Sequence, residues 1–320
     1  MAKRQPAPRR RRPSSRQPAQ RPMSSTRFFG YWSGPLPPVT DLHFRSFLHH
    51  HPDADYDLWL DSDAGSTIAA PSLAWIKSHP RLHVREFSLD ALIERHVTHG
   101  PLTRFNRWQA LKLWGRKLHR AGALGPLALQ SYDHPLFGRT YRHGSPLFAG
   151  FTANKAYRGD LSRCLIPLEH YTGPCLYVDL DLCFMSDLRG LCGERGFTYR
   201  WERYDFANSA VLYLPDAALG RALVARGNEL QNFLPWILFS DENCARLGLT
   251  VHPTAWFDPL WTPGSVLAGD SSLFFRANAD PAALLARLQG EGHRAIHWHN
   301  NWKTQPAPDS LYAALLDQLR

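Results

Sequence analysis

The sequence lacks the signatures of several common protein classes. It has no run of 18 apolar residues, so we expect no membrane-spanning helix. It has neither a Gly-x-Gly-x-x-Gly nor a Gly-x-x-x-x-Gly-Lys motif, which removes the main support for a dinucleotide dehydrogenase or a P-loop enzyme. Only five cysteines occur in 320 residues, and none forms a Cys-x-x-Cys pair. The sequence therefore predicts neither a disulfide framework nor a zinc site, and it favours a reducing, cytoplasmic compartment.

Acidic residues are missing from the first part of the chain. Residues 1–22 carry eight of the 37 lysines and arginines and no acid, so the formal charge of +9 falls to +1 without them. Because this segment also has almost nothing to bury, we expect residues 1–25 to be a disordered tail without a secretory signal. The tail either keeps the protein in solution or binds an anionic membrane surface. The near-neutral remainder predicts no specific binding of nucleic acid.

Residues 104–120 form a second basic stretch without acids. They combine six lysines and arginines with aromatic and leucine residues at helical spacing, which predicts an amphipathic helix. Its apolar stripe either packs on the rest of the domain or lies at the inner face of a membrane, as a peripheral contact. With the irregular residues that follow, the helix belongs to a predicted insertion over residues 104–153, which is a candidate acceptor-binding region.

From residue 26 onward, strand and helix patterns alternate. An aromatic strand follows Thr26, a helix is predicted over residues 41–50, and further strands over residues 56–61 and 82–87. This β-α-β-α-β order is typical of a nucleotide-binding half with a parallel sheet. We therefore predict one α/β domain over residues 26–320, since that length is within the range of a single α/β enzyme domain.

Residues 173–184 are the most informative stretch. After a Gly-Pro turn, residues 175–178 form an apolar run that predicts a strand buried on both faces. Asp179 and Asp181 follow it, and side chains two apart in a strand share a face. The carboxyl ends of strands form the ligand crevice of open α/β sheets, where paired carboxylates can hold a divalent cation against a diphosphate. An Asp-x-Asp pair is also common in solvated turns.

Residues 295–303 contain a second polar cluster. Alternation in a strand places His297, His299 and Asn301 on one face. Histidine and asparagine can complete a divalent site that carboxylates begin, and Lys303 can neutralise a diphosphate. The alternative is a half-buried strand whose polar face is solvated.

These segments together resemble the DXD glycosyltransferases of the family 32 type, which include capsular polysaccharide sugar transferases and, more distantly, the glucosylating toxins. Asp160 and Arg163 match the Asp-x-x-Arg helix of that family, and Tyr177 matches the tyrosine before its Asp-x-Asp. Residues 297–302 are similar to its C-terminal motif, with Asn301 where serine is more usual. Gly-Pro replaces its Gly-Gly turn, with one extra residue before the tyrosine.

The resemblance implies a fold and an activity. The fold is GT-A-like: a single Rossmann-type nucleotide-binding domain with a mixed central sheet and a helical insertion. The activity is metal-dependent transfer of a sugar from a nucleotide-diphosphate donor, a UDP-sugar above all, to a glycan, lipid-linked or protein acceptor, with retention. The alternatives are a metal-dependent hydrolase of a nucleotide sugar and a non-catalytic relative that binds one.

The resemblance also suggests roles for single residues. The predicted catalytic residues are Asp160, Arg163, Asp179 and Asp181. The predicted donor-binding residues are Trp32 as the base-stacking ring, Tyr177, Asn208, Trp302 and Lys303. The predicted ligands of Mn2+ or Mg2+ are Asp181, Asp179, Asn301 and a histidine, for which His299 is slightly preferred to His297.

Overall fold

The computed structural model describes residues 26–98, 155–201, 206–230, 232–299 and 301–320. The predicted tail of residues 1–25 and the predicted insertion of residues 104–153 lie outside the described residues. Within the described ranges, no helix has both the length and the apolar character needed to cross a membrane.

The first half of the described chain is the predicted nucleotide-binding half. Its elements are β1 (Arg27–Trp32), α1 (Asp41–His50), β2 (Tyr56–Asp61), a 3-10 helix (Pro71–Lys77), β3 (Leu82–Phe87) and α2 (Leu89–His96). The three strands pair in parallel, with β1 between β2 and the middle of the sheet. The β-α-β-α-β prediction is therefore confirmed, with a 3-10 helix as the second connection.

The second half completes the sheet. Its elements are α3 (Lys155–His170), β4 (Cys175–Val178), β5 (Leu182–Phe184), β6 (Phe197–Arg200), β7 (Ala207–Leu214), α4 (Ala217–Leu230), α5 (Pro235–Leu238), α6 (Asp241–Arg246), β8 (Thr250–His252), α7 (Pro281–Gly290), β9 (Ala295–His297) and α8 (Leu311–Gln318). The main sheet has the order β3-β2-β1-β4-β7-β6-β8. Strand β7 runs antiparallel to β4 and β6, whereas the other neighbours are parallel. This mixed sheet with flanking helices confirms the predicted GT-A-like α/β fold.

Strand β4 lies in the middle of the sheet and is buried on both faces, as predicted. Its side chains alternate between two cores, because successive residues of a strand point to opposite faces. Tyr177 belongs to the core that contains Leu161 of α3, and Val178 to the core that contains Phe44 of α1. Helices thus pack on both faces of the strand, and this packing fixes the position of its carboxyl end, where the two acids follow.

A small second sheet connects the two polar clusters of the sequence. Strand β5 follows the acids directly and pairs antiparallel with β9, so that Leu182 lies opposite His297 and Phe184 opposite Ala295. A third core beneath this ribbon contains Ile296 and Trp298. The ribbon brings the end of the chain to the end of β4.

Candidate functional site

Two carboxylates mark the carboxyl end of β4. The backbone N–H of Asp179 still donates to the carbonyl of Ala210 on β7 at 2.8 Å, and Asp181 lies in the turn before β5. The chain leaves β1 towards β2 and β3 and later returns to β4 on the other side of β1. In an open α/β sheet, such a reversal of strand order opens a ligand crevice at the carboxyl ends of the strands. The acids therefore lie where this fold places a ligand.

His297 joins the two acids. Its Nε2 lies 3.2 Å from Oδ1 of Asp181, and the backbone N–H of Trp298 donates to the carbonyl of Asp181 at 2.9 Å. Asp179, Asp181 and His297 each offer one ligand atom, and these atoms all lie within 4.8 Å of one another. The pairing of β5 with β9 brings these ligand atoms together, because it places His297 opposite Leu182, the residue that follows Asp181.

Burial and the nearby carboxylates shift the pKa of His297 in opposite directions. Burial lowers the pKa of its imidazole, but the carboxylates of Asp181, Asp258 and Asp179 outweigh burial and raise the pKa to about 9. Its Nδ1 lies 2.8 Å from the hydroxyl of Tyr199. Without a cation the ring is therefore protonated at neutral pH, and a cation at Nε2 would have to displace that proton.

His299 belongs to a different group of possible ligands from Asp179 and Asp181. Its Nε2 is 2.7 Å from Oδ2 of Asp258, and these two residues form a second group with His297 whose ligand atoms lie within 4.8 Å. Strand β9 ends at His297, and His299 has a left-handed backbone with φ 49°. The predicted strand alternation through residue 301 is therefore wrong, because β9 ends at His297. The geometry groups His297 with Asp179 and Asp181.

Asp258 is a site residue that the sequence analysis missed. It is fully buried, with 0% of its surface exposed, between the 3-10 helices Thr254–Trp256 and Pro259–Trp261. The available signal was a lone acid inside an aromatic and apolar run over residues 255–261. An acid in such a run is buried with a partner, because an uncompensated buried charge is expensive.

Arg163 of α3 carries the positive charge that faces the carboxylates of Asp179 and Asp160. Its Nη2 lies 3.3 Å from Oδ1 of Asp179 and 3.4 Å from Oδ1 of Asp160. Its Nη1 donates to the hydroxyl of Ser209 on β7, and the Tyr177 hydroxyl donates to the same oxygen of Asp179. Burial raises the pKa of Asp160 to about 7, with Arg163 opposing and Asp179 adding to the rise. Asp160, Arg163, Tyr177 and Asp179 thus form one cluster at the crevice.

A buried ion pair sets the position of α3. Nε of Arg158 donates to Oδ2 of Asp61 at 2.7 Å, and the hydroxyl of Tyr31 donates to the same oxygen at 2.7 Å. Arg158 also reaches Asp90 at the start of α2, at 2.7 Å. The helix that carries Asp160 and Arg163 is therefore fixed to the carboxyl end of β2.

The predicted donor-binding residues lie in different surroundings. Trp32 at the end of β1 and Trp302 meet edge to face, with ring centroids 4.6 Å apart. Asn208 is buried on β7, where its Oδ1 accepts from the backbone N–H of Ala210 at 2.9 Å. Lys303 is exposed. The side-chain nitrogen of Asn301 donates to the carbonyl of Trp298 at 2.6 Å, within its own turn.

No protein-family model and no curated protein matches the sequence. Solved structures that it resembles include the bifunctional glycosyltransferase WbbM, at 8% identity and a TM-score of 0.47 over 92% of this chain and 49% of the other. Mouse xyloside xylosyltransferase 1 is 12% identical, with a TM-score of 0.43 over 88% and 99% of the two chains. The glycosyltransferase GlyE of Streptococcus pneumoniae is 12% identical, with a TM-score of 0.44 over 92% and 60%. This chain thus spans about half the length of WbbM.

Proposed function

We propose that this protein is a metal-dependent glycosyltransferase that takes a sugar from a nucleoside-diphosphate donor. The observation that carries the proposal is the convergence of Asp179, Asp181 and His297 at the carboxyl end of β4. Two carboxylates and one imidazole suit Mn2+, and they also suit Mg2+ through the oxygens. A bound cation of this kind supplies positive charge to a departing diphosphate.

In this proposal Asp181 and His297 hold the cation directly. Asp181 is 3% exposed, so a carboxylate there has little water to stabilise it and favours a cation. Asp179 keeps one oxygen occupied by Tyr177 and Arg163, which orients its carboxylate for the donor ribose and for water on the cation. Tyr199 fixes the tautomer of His297, since a hydrogen bond at Nδ1 leaves Nε2 to face Asp181.

The remaining residues are assigned to the donor. Asp160 and Arg163 lie beside Asp179, and they orient the hydroxyls of the transferred sugar. Trp32 and Trp302 offer aromatic faces for the nucleotide base, and Lys303 offers positive charge to the diphosphate. A UDP-sugar, retention of configuration, and a glycan, lipid-linked or protein acceptor are the finer parts of the proposal, as is peripheral contact with an anionic membrane through residues 1–22 and 104–120.

The test is a screen of nucleotide sugars against the full chain, with and without Mn2+, by thermal shift and then by product analysis. We expect one donor to stabilise the wild-type protein in the presence of Mn2+ and to be turned over with a suitable acceptor. Asp181→Asn should abolish transfer in a folded protein. The matched control is Asp55→Asn, which removes a partly exposed carboxylate, paired with Arg27, just before the amino end of β2 and so at the opposite end of the strands, and should keep activity.

Three outcomes contradict the proposal. Full transfer by Asp181→Asn removes the assigned cation site. Donor turnover that gives free sugar and no acceptor product defines a hydrolase instead. Metal-dependent binding of UDP without turnover of any donor defines a binding protein.

A further inference from the structure

We propose that Asp258 is a positioning residue of the cation site: it holds His299 against His297 and so fixes the imidazole whose Nε2 faces Asp181. This inference rests on the proposed function, because it concerns the cation that Asp179, Asp181 and His297 would bind. Asp258 lies outside both polar stretches of the sequence, residues 173–184 and residues 295–303.

The backbone around Asp258 is bonded to the strands of the site. The carbonyl of Phe257 accepts from the N–H of His297 on β9 at 3.0 Å, and the N–H of Asp258 donates to the carbonyl of Thr254 at 2.9 Å. The hydroxyl of Thr254 in turn donates to the carbonyl of Arg200 on β6 at 2.7 Å. Because these bonds tie the segment to both strands, the Asp258 carboxylate has a fixed position relative to His297.

His299 needs a partner to keep its conformation. Among the described residues other than glycine, it alone has a positive φ, 49°. A left-handed conformation is unfavourable for a residue with a side chain, because Cβ comes close to the following carbonyl oxygen. The carboxylate of Asp258, 2.7 Å from Nε2 of His299, stabilises this turn. In it the ring of His299 lies against that of His297, with centroids 3.9 Å apart and planes at 32°.

The nitrogens that face Asp258 already have hydrogen-bond partners. Nδ1 of His297 lies 3.8 Å from Asp258 but 2.8 Å from the hydroxyl of Tyr199. Nε2 of His299 lies 2.7 Å from Oδ2 of Asp258, to which it donates as N–H, and 2.7 Å from the indole nitrogen of Trp261, which can donate to Nε2 only in the other tautomer. A second cation between these three residues would have to displace the Tyr199 hydroxyl from Nδ1 of His297 and the proton from Nε2 of His299. Asp258 and His299 therefore support the ligand His297, as a carboxylate behind a metal-binding histidine does in other proteins.

The test measures Mn2+ binding to the full chain by titration calorimetry and by the loss of the free-ion EPR signal. The variants are Asp258→Asn, His299→Asn and the double variant. Asparagine tolerates the left-handed backbone but is too short to replace the imidazole. We expect each single variant to bind Mn2+ about 10- to 100-fold more weakly. The double variant should bind no more weakly than the singles, because both changes break one contact.

A matched control separates positioning from general loss of stability. Asp41→Asn removes another buried carboxylate, whose partners Arg45 and Trp75 lie outside the site. We expect this variant to lower the melting temperature without changing the affinity for Mn2+. If Asp258→Asn does not fold, His299→Asn still tests the contact, because His299 lies at the partly exposed edge of the cluster.

Several results would overturn the inference. Unchanged Mn2+ affinity in Asp258→Asn shows that the carboxylate does not position the ligand, and so do additive losses in the double variant. Two Mn2+ ions per wild-type chain, with one lost in Asp258→Asn, make Asp258 a ligand. Loss of all binding in His299→Asn, with Asp258→Asn unaffected, makes His299 the ligand. A wild-type protein that binds no Mn2+ refutes the proposed function as well, whereas normal wild-type binding with unaffected variants refutes only the positioning role.

Discussion

Mn2+ binding should depend steeply on pH, because His297 must lose a proton before it can bind the cation. With a pKa of about 9 in the metal-free fold, roughly one ring in a hundred is unprotonated at pH 7. Removing the proton at pH 7 therefore costs about 3 kcal/mol. We expect the affinity for Mn2+ to rise about tenfold per pH unit between pH 6 and 9 and to level off above that range.

The raised pKa of His297 also makes the stability of the metal-free protein depend on pH. The pKa of His297 is raised from its usual 6.5 to about 9, so the folded state holds the proton more tightly than the unfolded state. This contribution is fully present below about pH 6.5 and is lost as the pH rises through 9. Its upper limit is about 3 kcal/mol, at 1.36 kcal/mol per pH unit. Mn2+ should therefore stabilise the fold more at pH 9 than at pH 7.

The assay is calorimetric titration of Mn2+ in two buffers with different ionisation enthalpies, across pH 6 to 9. The difference in heat gives the number of protons released, which we expect to be about one at pH 7. His297→Gln has no proton to release here, so its residual binding should be weak and nearly independent of pH. Equal affinity of the wild-type protein at pH 6 and pH 9, or binding without proton release at pH 7, would refute the assignment of His297 as a ligand.

Three further predictions concern the surroundings of the site. Arg158→Met leaves the Asp61 carboxylate buried without its cation and should lower the free energy of unfolding by about 3–5 kcal/mol, measured by urea denaturation; an unchanged midpoint would contradict this. In Gly30→Ala the new Cβ would overlap the Tyr56 hydroxyl and would lie 2.8 Å from Leu180, the residue between the two acids, so both melting temperature and Mn2+ affinity should fall; a normal affinity would show that crowding at Leu180 does not move the acids. Trp302→Ala should weaken UDP binding about 5- to 10-fold, measured by calorimetry, whereas an unchanged affinity would remove Trp302 from the donor site.

The long elements of this fold could be predicted from local patterns. The strands β1 to β4 and the helix α1 all lie where apolar periodicity and turn residues indicate them. These segments are long enough, or sufficiently apolar, for their own residues to favour one conformation. Strands β5, β8 and β9 have three residues each, so they show no periodicity and form only because a partner strand lies beside them.

The sequence by itself determined that Asp179 and Asp181 follow a buried strand and that a second polar cluster, with His297, lies near residue 300. Only the tertiary structure decided which histidine joins the acids, because the choice depends on the β5–β9 register and on the left-handed turn at His299. It also decided the place of Asp258, whose contacts all come from the folded chain around it. Local residues encode the elements, whereas pairing between distant segments assembles the site, because the positions of its atoms depend on contacts that no single segment contains.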